Sequence, residues 1–358
     1  MKVGVFIGRF QIWSAAHQMN VMEAFRRAEL DHMTIVIGTA FGPYTNKNPL
    51  TGLERRKMIS AALVEAGVPL HKVTFIMMRD YPDNNDWANE VTFRVESQFA
   101  PEAEFVLVGM KKDHTSFYID MFPHWKQSLA VEPYMANGAV LSATDLRAAF
   151  YNASPFDDGV AVLPEAVKRF LYDFRQTESE RFLYLKHEQD HYDEYKAAWS
   201  AAPYPPTFFT ADAVVRVYSG WGMPGVILIR RKKSPGKGLW AIPGGFVDQF
   251  ETSGQAAARE LFEETGLDIN TTEDGSSHGF TLVDSPHRSQ RGRVISIVSK
   301  FTVLCEDVPS LRPGDDADFV EVVPISEVIK KYHNKMFDDH YNIICSIFNE
   351  KGDFREDQ

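Results

Sequence analysis

Residues 245–267 read GFVDQFETSGQAAARELFEETGL, and this stretch decides the fold of the C-terminal half. Gly245 is followed six positions on by Glu251, and then by Arg259-Glu260-Leu261-Phe262-Glu263-Glu264-Thr265-Gly266-Leu267. Glu260, Glu263 and Glu264 stand at i, i+3 and i+4, so on a helix they share one face. Thr252 or Ser253 can cap that helix at its start, and Gly266 can close it. Three carboxylates so close repel one another unless a cation sits among them. Mg²⁺ or Mn²⁺ takes oxygen ligands and leaves room for substrate phosphates and water. Arg259 can pair with a neighbouring carboxylate. Glu251 can steady the preceding loop or join the metal site. The Pro243-Gly244-Gly245 turn lets the backbone approach closely. A solvated acidic helix face is the commoner fate of such residues. Seven fixed positions at roughly 1 in 15 each give about 10⁻⁸ per window by chance, which decides for a metal-and-diphosphate site.

Outward from this helix, 358 residues are enough for two domains. Hydrophobic residues make up 44% and charged residues 24%, the balance of an ordinary globular protein. The net charge of −11 argues against non-specific nucleic-acid binding, though not against a local basic pocket for phosphate. Two cysteines, Cys305 and Cys345, lack CxxC spacing, so a reducing compartment fits better than a disulfide framework or a zinc site. Residues 3–8 are apolar but too short for a signal-peptide core, and no run reaches the roughly 20 apolar residues of a membrane helix. A cytoplasmic protein with no membrane partner is expected.

In the N-terminal half, strand patterns at 3–8, 33–39, 73–78 and 104–109 alternate with helical patterns at 16–30, 54–66 and 86–99. Such alternation predicts a mostly parallel α/β sheet. Helical patterns at 144–151 and 164–175 close this half. Residues 176–206 change character and end in a proline cluster at Pro203, Pro205 and Pro206, which predicts a helix followed by an extended connector. Strands at 212–219 and 226–232 then read as a hairpin, followed by the glutamate helix, a strand at 294–304 and helices at 325–332 and 339–349. The expected division is a first domain over 1–180, a connector over 181–206 and a second domain over 207–358.

Four clusters in the first half fall where strand ends meet loops, the usual ligand side of an open α/β sheet. Gly8-Arg9-Phe10-Gln11 lies between a strand and a helix beginning near Ser14 to His17, a ready anion site. Arg9 can reach a triphosphate and His17 can donate to a phosphate oxygen; a structural hydrogen bond is the commoner role of such a histidine. The segment from Thr45 through Asn48 to Thr51 precedes Glu54-Arg55, and Asp80, Asn84 and Trp87 follow the third strand. Ser142-Ala143-Thr144-Asp145-Leu146-Arg147 offers a hydroxyl-capped helix with an arginine, and helix capping alone is its plainer explanation. Trp87 could be a core residue, but the polar run from Asp83 to Asp86 argues otherwise.

The C-terminal motif matches the Nudix hydrolase signature, G-x5-E-x7-R-E-U-x-E-E-x-G-U, at every position. This resemblance implies an α/β/α sandwich on a mixed sheet and metal-assisted attack of water on a nucleoside diphosphate linkage. It implies that Glu260, Glu263 and Glu264 carry the metal, with Mg²⁺ expected and Mn²⁺ as an alternative. The general base varies in that family and is not assigned. Gly245, Arg291 and Arg293 are candidate substrate contacts, and a charged surface loop is the equal alternative for the two arginines.

The N-terminal clusters resemble the nicotinamide mononucleotide (NMN) adenylyltransferases, whose first motif reads GRFQPxHxGH. Gly8, Arg9, Phe10, Gln11 and His17 are kept, whereas Ile12, Ser14 and Ala16 depart from the pattern. The resemblance implies a Rossmann-like nucleotidyltransferase domain that joins ATP and NMN to give NAD and pyrophosphate. Gly8, Arg9, Ser14, His17, Ser142, Thr144 and Arg147 would hold ATP, with Arg9, His17 and Arg147 catalytic. Asn48, Asn84 and Trp87 would contact NMN. Serine at 14 can still donate one hydrogen bond, but losing a charge-assisted contact costs roughly 1.5–3 kcal/mol.

The order of the two motifs resembles that of bifunctional NAD-metabolism proteins. So do Lys112-Asp113, Ser116-Phe117-Tyr118, Phe122-Pro123-His124-Trp125, Tyr195 to Trp199 and Asp338-Asp339-His340-Tyr341. In that family the second domain splits ADP-ribose into AMP and ribose 5-phosphate. The expected partners are therefore ATP, NMN, NAD and ADP-ribose, with no nucleic acid and with homo-oligomerisation left open. Two rivals remain. One is a Nudix hydrolase with a catalytically weak N-terminal domain. The other is an ADP-ribose-sensing regulator, against which the intact glutamates, the acidic balance and the lack of a winged-helix pattern all argue.

Overall fold

The computed structural model describes residues 1–81, 83–109, 114–129, 135–136, 139–140, 143–152, 163–220, 224–269 and 276–348. The chain divides into two compact units, Met1–Lys186 and His187–Gln358.

The first unit is built on β1 (Lys2–Gly8), β2 (His32–Ile37), β3 (Val73–Met77), β4 (Glu104–Gly109) and β5 (Lys126–Leu129). They form a parallel sheet in the order β3-β2-β1-β4-β5. The apolar runs of β1, β2 and β4 are continuous because both faces of the sheet are covered. Phe6, Ile35, Ile37, Val106 and Val108 share one core with α1 (Ala15–Arg27), α2 (Gly52–Glu65), α4 (Ala143–Asn152) and α5 (Glu165–Thr177). Val5, Ile7, Val36 and Leu107 face the other way, toward α3 (Asn84–Glu96). β1 lies between β2 and β4, so the sheet changes winding direction at its C-terminal end, where the Gly8 loop begins. A two-strand ribbon, β6 (Met135–Ala136) and β7 (Ala139–Val140), lies outside this sheet.

The division between the units falls inside α6 (Ser179–Ala197). The second unit is a mixed sheet of β8 (Thr207–Tyr218), β9 (Gly225–Arg231), β10 (Trp240–Ala241), β11 (Gly244–Phe246), β12 (Ser276–Val283), β13 (Arg293–Leu304) and β14 (Ala317–Pro324). Its main path runs β10-β9-β8-β13-β12, with β11 added to β8 and β14 to β9. β8 and β13 pair in parallel over twelve residues, and the other pairings are antiparallel. β8 alternates: Ala211, Ala213, Val215 and Val217 meet Ala256, Ala257 and Leu261 of α7 (Ser253–Thr265). Val214 faces the opposite core, with α8 (Ile325–Lys331) and α9 (His340–Phe348). The expected fold class, a parallel nucleotide-binding unit followed by an α/β/α sandwich with a mixed sheet, is the one observed. The hairpin expected at 212–219 and 226–232 is present as β8 and β9, whereas β12 and β14 had no counterpart in the sequence pattern.

Candidate active sites

In the second unit, α7 starts and stops where its local chemistry dictates. Thr252 caps it, its side chain accepting from Gln255 N while Gln255 returns a bond to Thr252 N. Gly266 ends it in the left-handed region at φ 72°. The three glutamates then meet different surroundings. Glu264 is buried, and Gly244 N–H donates to its Oε2 at 3.0 Å. Burial pushes its carboxyl up to about 8, against the Gly244 hydrogen bond and with help from the nearby Glu260 charge. Burial likewise raises Glu260, against the pull of Arg259. Glu263 is more than half exposed.

Arg259 is the hub of the carboxylates. Its guanidinium donates to Glu251 at 2.7 and 3.1 Å, to Glu260 at 2.8 Å, to Glu263 at 3.0 Å and to Phe246 O at 3.1 Å. Glu251 also accepts from Asp248 N at 2.8 Å, which fixes the loop before the helix. Among the described residues, no three carboxylates or imidazoles already converge as a metal cage. The donor set still fits a divalent cation: hard oxygen ligands on one face, with a buried carboxyl whose ionisation is opposed until a positive charge arrives. The glycine turn is required by contact. A Cβ on Gly245 would lie 2.3 Å from Glu260 Oε1, and one on Gly244 would lie 2.2 Å from Asp212 Oδ1.

Residues around this helix carry further polar ties, two of them through Asp339 and His340 of the Asp338-Asp339-His340-Tyr341 segment. Asp212 is buried beneath the glycine turn and accepts from Ser296 Oγ. Arg288 pairs with Asp339 through two bonds of 2.8 and 3.0 Å. Buried His340 accepts from Ile242 N at 3.0 Å through Nδ1, just ahead of Pro243. Burial and neighbouring arginines hold His340 well below its usual value, so it accepts as a neutral ring. The Arg291 guanidinium lies 5.0 Å from the Phe246 ring centroid, which brings it onto the motif loop, whereas Arg293 donates to Asp284 O.

In the first unit, three of the sequence clusters converge at the C-terminal end of β1. Gln11 ties the Gly8 loop to the 45–51 segment: Leu50 N donates to its Oε1 at 3.1 Å, and its Nε2 donates to Leu50 O at 3.3 Å. Tyr151 of α4 donates to Asn46 O at 2.9 Å, joining the arginine-bearing helix to the same segment. Thr39 donates to Asp80 at 2.9 Å, drawing in the end of β3. Arg147 is lowered by burial and then by the charge of Arg9, which places the two guanidinium groups in electrostatic range of each other. Arg9 itself is exposed. Asn48 Oδ1 is buried and has no hydrogen-bond partner among the described residues.

Ser14 is buried and caps α1. His17 N donates to its Oγ at 3.4 Å, and Ser14 N donates to His17 Nδ1 at 3.0 Å. A main-chain N–H can only donate, so Nδ1 accepts and the neutral ring carries its proton on Nε2. The ring also packs on Phe10 and Trp13, at centroid distances of 5.2 and 5.3 Å. Ser14→Ala is expected to lower stability by ~1 kcal/mol and to slow adenylyl transfer several-fold by loosening His17. Thermal melting and initial rates check this, and an unchanged melting point would contradict it. Asn84 opens α3 and is exposed, while half-buried Trp87 sets its ring edge-on to Tyr118 and Phe122. Ser142 lies outside the described residues, as do Lys112 and Asp113, and Thr144 is described only as backbone in the first turn of α4.

Comparison with known proteins finds relatives of each half of the chain and of the whole. The NUDIX domain family model matches residues 208–345. A crystal structure of a bifunctional NMN adenylyltransferase/ADP ribose pyrophosphatase from Francisella tularensis is 32% identical. It covers 98% of this chain and 99% of its own, at a TM-score of 0.86. The chain belongs to this bifunctional family. A further structure of the Francisella enzyme holds AMP and a manganese ion, at 31% identity and a TM-score of 0.84. Among curated relatives, the nicotinamide-nucleotide adenylyltransferase of Pyrococcus furiosus is 32% identical over 183 residues, 51% of this chain and 89% of its own length. The ADP-ribose pyrophosphatase of Methanocaldococcus jannaschii is 39% identical over 117 residues, 32% of this chain and 64% of its own length. The two relatives thus correspond to the two halves of the bifunctional family. Among the described residues, no helix is long and apolar enough to cross a membrane.

Proposed function

We propose that the chain is a bifunctional enzyme of NAD metabolism. The first unit joins ATP and NMN to give NAD and pyrophosphate. The second unit hydrolyses ADP-ribose to AMP and ribose 5-phosphate. The observation that carries both is the end-to-end likeness to the Francisella enzyme, at 32% identity over 98% of this chain.

In adenylyl transfer, a phosphate oxygen of NMN forms a bond to the α-phosphorus of ATP while the bond to the β-phosphate oxygen breaks. The nucleophile belongs to the substrate, so the protein contributes position and charge. Arg9 and Arg147 supply cationic charge where the triphosphate gathers it, and His17 Nε2–H is oriented to donate. Asn48, with its unpartnered buried acceptor, suits a carboxamide N–H of NMN. Asn84 and Trp87 would contact the same ligand, and Gly8 would meet the phosphates, a role the family resemblance also gives to Ser142 and Thr144.

In the second unit, Glu260, Glu263 and Glu264 would hold Mg²⁺, with Mn²⁺ able to replace it. The bound cation supplies a water of lowered pKa and screens the diphosphate. Arg259 gathers Glu251, Glu260 and Glu263 on one cation, Gly244 N–H orients Glu264, and Gly245 leaves room for Glu260. Arg291, over Phe246, is placed to meet the substrate; Arg293 is proposed as a weaker contact of the same kind. A cytoplasmic location belongs to this reading.

The test uses the intact chain with Mg²⁺ in two assays: ATP plus NMN, and a panel of ADP-ribose, NAD, NADH and diadenosine polyphosphates. NAD formation no greater than in a His17→Ala control would refute the first activity. Preference for another member of the panel over ADP-ribose would refute the second.

A further inference from the structure

We propose that Arg55 is the positioning residue of the adenylyl-transfer site, setting the main chain that carries Arg9. This inference rests on the adenylyl-transfer reading and adds a residue that touches no substrate.

Arg55 is fully buried on α2, yet among the described residues its guanidinium meets no carboxylate directly. Its partners are four main-chain carbonyls. Nη1 donates to Arg9 O at 2.5 Å and to Gly38 O at 2.7 Å. Nη2 donates to Thr39 O at 3.0 Å, and Nε to Thr51 O at 3.2 Å. One planar fork therefore joins the loop after β1, the loop after β2 and the N-cap of α2. A lysine could not: it presents three donors from a single nitrogen, and no fixed plane.

The backbone at these loops needs such a strut. Phe10 and Thr39 are non-glycine residues in the left-handed region, at φ 46° and 47°. Side chains disfavour that conformation, and it persists where surrounding contacts over-determine it. Each of the two follows or bears a carbonyl that Arg55 holds. With Gln11 clamped to Leu50, the turn from Gly8 to Gln11 is fixed on both sides of Arg9. The exposed Arg9 side chain thus springs from a main chain tied on both sides. Burial lowers the Arg55 guanidinium to about 10, with the charge of nearby Asp80 acting against the fall, so it remains cationic at neutral pH.

The experiment compares the unsubstituted chain with R55K and R55Q at a temperature where near-UV circular dichroism shows the variant folded. ADP-ribose hydrolysis in the same preparation is the internal control. A misplacement of about 1 Å can cost 10²-fold in rate, so kcat for NAD formation should fall ~100-fold in R55Q. R55K, which keeps the charge, should recover part of that loss, and added guanidinium should raise the R55Q rate. KM for NMN should stay within about threefold, because Arg55 donates to none of the side chains proposed to contact NMN, Asn48, Asn84 and Trp87. Folded variants with kcat within about threefold of the unsubstituted chain would overturn the proposal. So would KM for NMN rising in step with the loss, or failure of both variants to fold, which would make Arg55 a strut of the core only. If the unsubstituted chain itself makes no NAD, the adenylyl-transfer reading fails instead. Calorimetry with ATP then decides for Arg55, with R55Q expected to lose ATP binding and unaltered binding counting against it.

Discussion

Glu264→Gln is expected to remove ADP-ribose hydrolysis and, in the absence of metal, to leave the second unit more stable at alkaline pH. The two effects come from one buried carboxyl. Glutamine keeps the size of the side chain and can still accept the Gly244 N–H bond at its amide oxygen. It cannot supply the negative charge that a divalent cation needs. A cation and its water contribute several kcal/mol to such a reaction, so the rate should fall ~10³-fold or more. NAD formation by the first unit should be unchanged within about twofold, since the two sites lie in separate compact units and share no residue. The stability effect follows from proton linkage. The carboxyl lies at about 8 in the folded chain, against 4.5 for an unperturbed glutamate. Below the lower value both states hold the proton and nothing changes. Between the two, the unfolded chain has released a proton that the folded chain retains, so stability falls as pH rises, until the folded carboxyl also ionises. Glutamine has no such slope. Calorimetric melting with chelator between pH 5 and 9 should show the variant gaining on the parent as pH rises. Added Mn²⁺ should reverse the order, because it stabilises only the carboxylate. A variant less stable than the parent at pH 8.5 in chelator would show that Glu264 is not opposed by its surroundings.

How much of this was legible in the sequence depends on how local each signal is. The bounds of α7 were readable because Thr252, Gln255 and Gly266 act within one turn of the ends they define. β1, β2 and β4 were readable because a strand covered on both faces is an unbroken apolar run. β12 was not. Its exposed residues include Phe280 and Leu282, and Gly279 adopts φ 85° where the register slips, so neither alternation nor continuity survives. Among the described residues β14 pairs only with β9, and its middle residues are only partly buried, which erases the apolar pattern. At the sites, the glutamate spacing carries its own chemistry. The ties that hold the sites do not: Gln11 meets Leu50 across 39 positions, Arg55 meets Arg9 across 46, and His340 meets Ile242 across 98. Those contacts exist only once the sheets have brought the loops together. Ser14 lay between these cases. Its departure from the family pattern was visible, but its capping bond to His17 is a matter of geometry.

Arg9→Ala is expected to cut NAD formation ~10³-fold, the size of losing one donor to the charge that develops in a transition state. The unusual part is that it should do so without lowering stability. Burial first, and then the charge of Arg9, pushes Arg55 and Arg147 down, so Arg9 opposes each of these two guanidinium groups when no phosphate is present. Removing the exposed member relieves that repulsion. The loop conformation should survive, because Arg55 binds the Arg9 carbonyl and not its side chain. Arg9→Lys should recover part of the rate, since it restores the charge but not the flat two-pronged donor that matches phosphate. ADP-ribose hydrolysis in the same chain reports that the second unit is untouched. Melting of the metal-free chain should rise slightly at low salt and return to the parent value as salt screens the arginines. A drop in melting point together with the lost rate would mean that Arg9 holds the loop rather than the triphosphate. Full activity in the folded variant would move the phosphate contact to Arg147 and His17 alone.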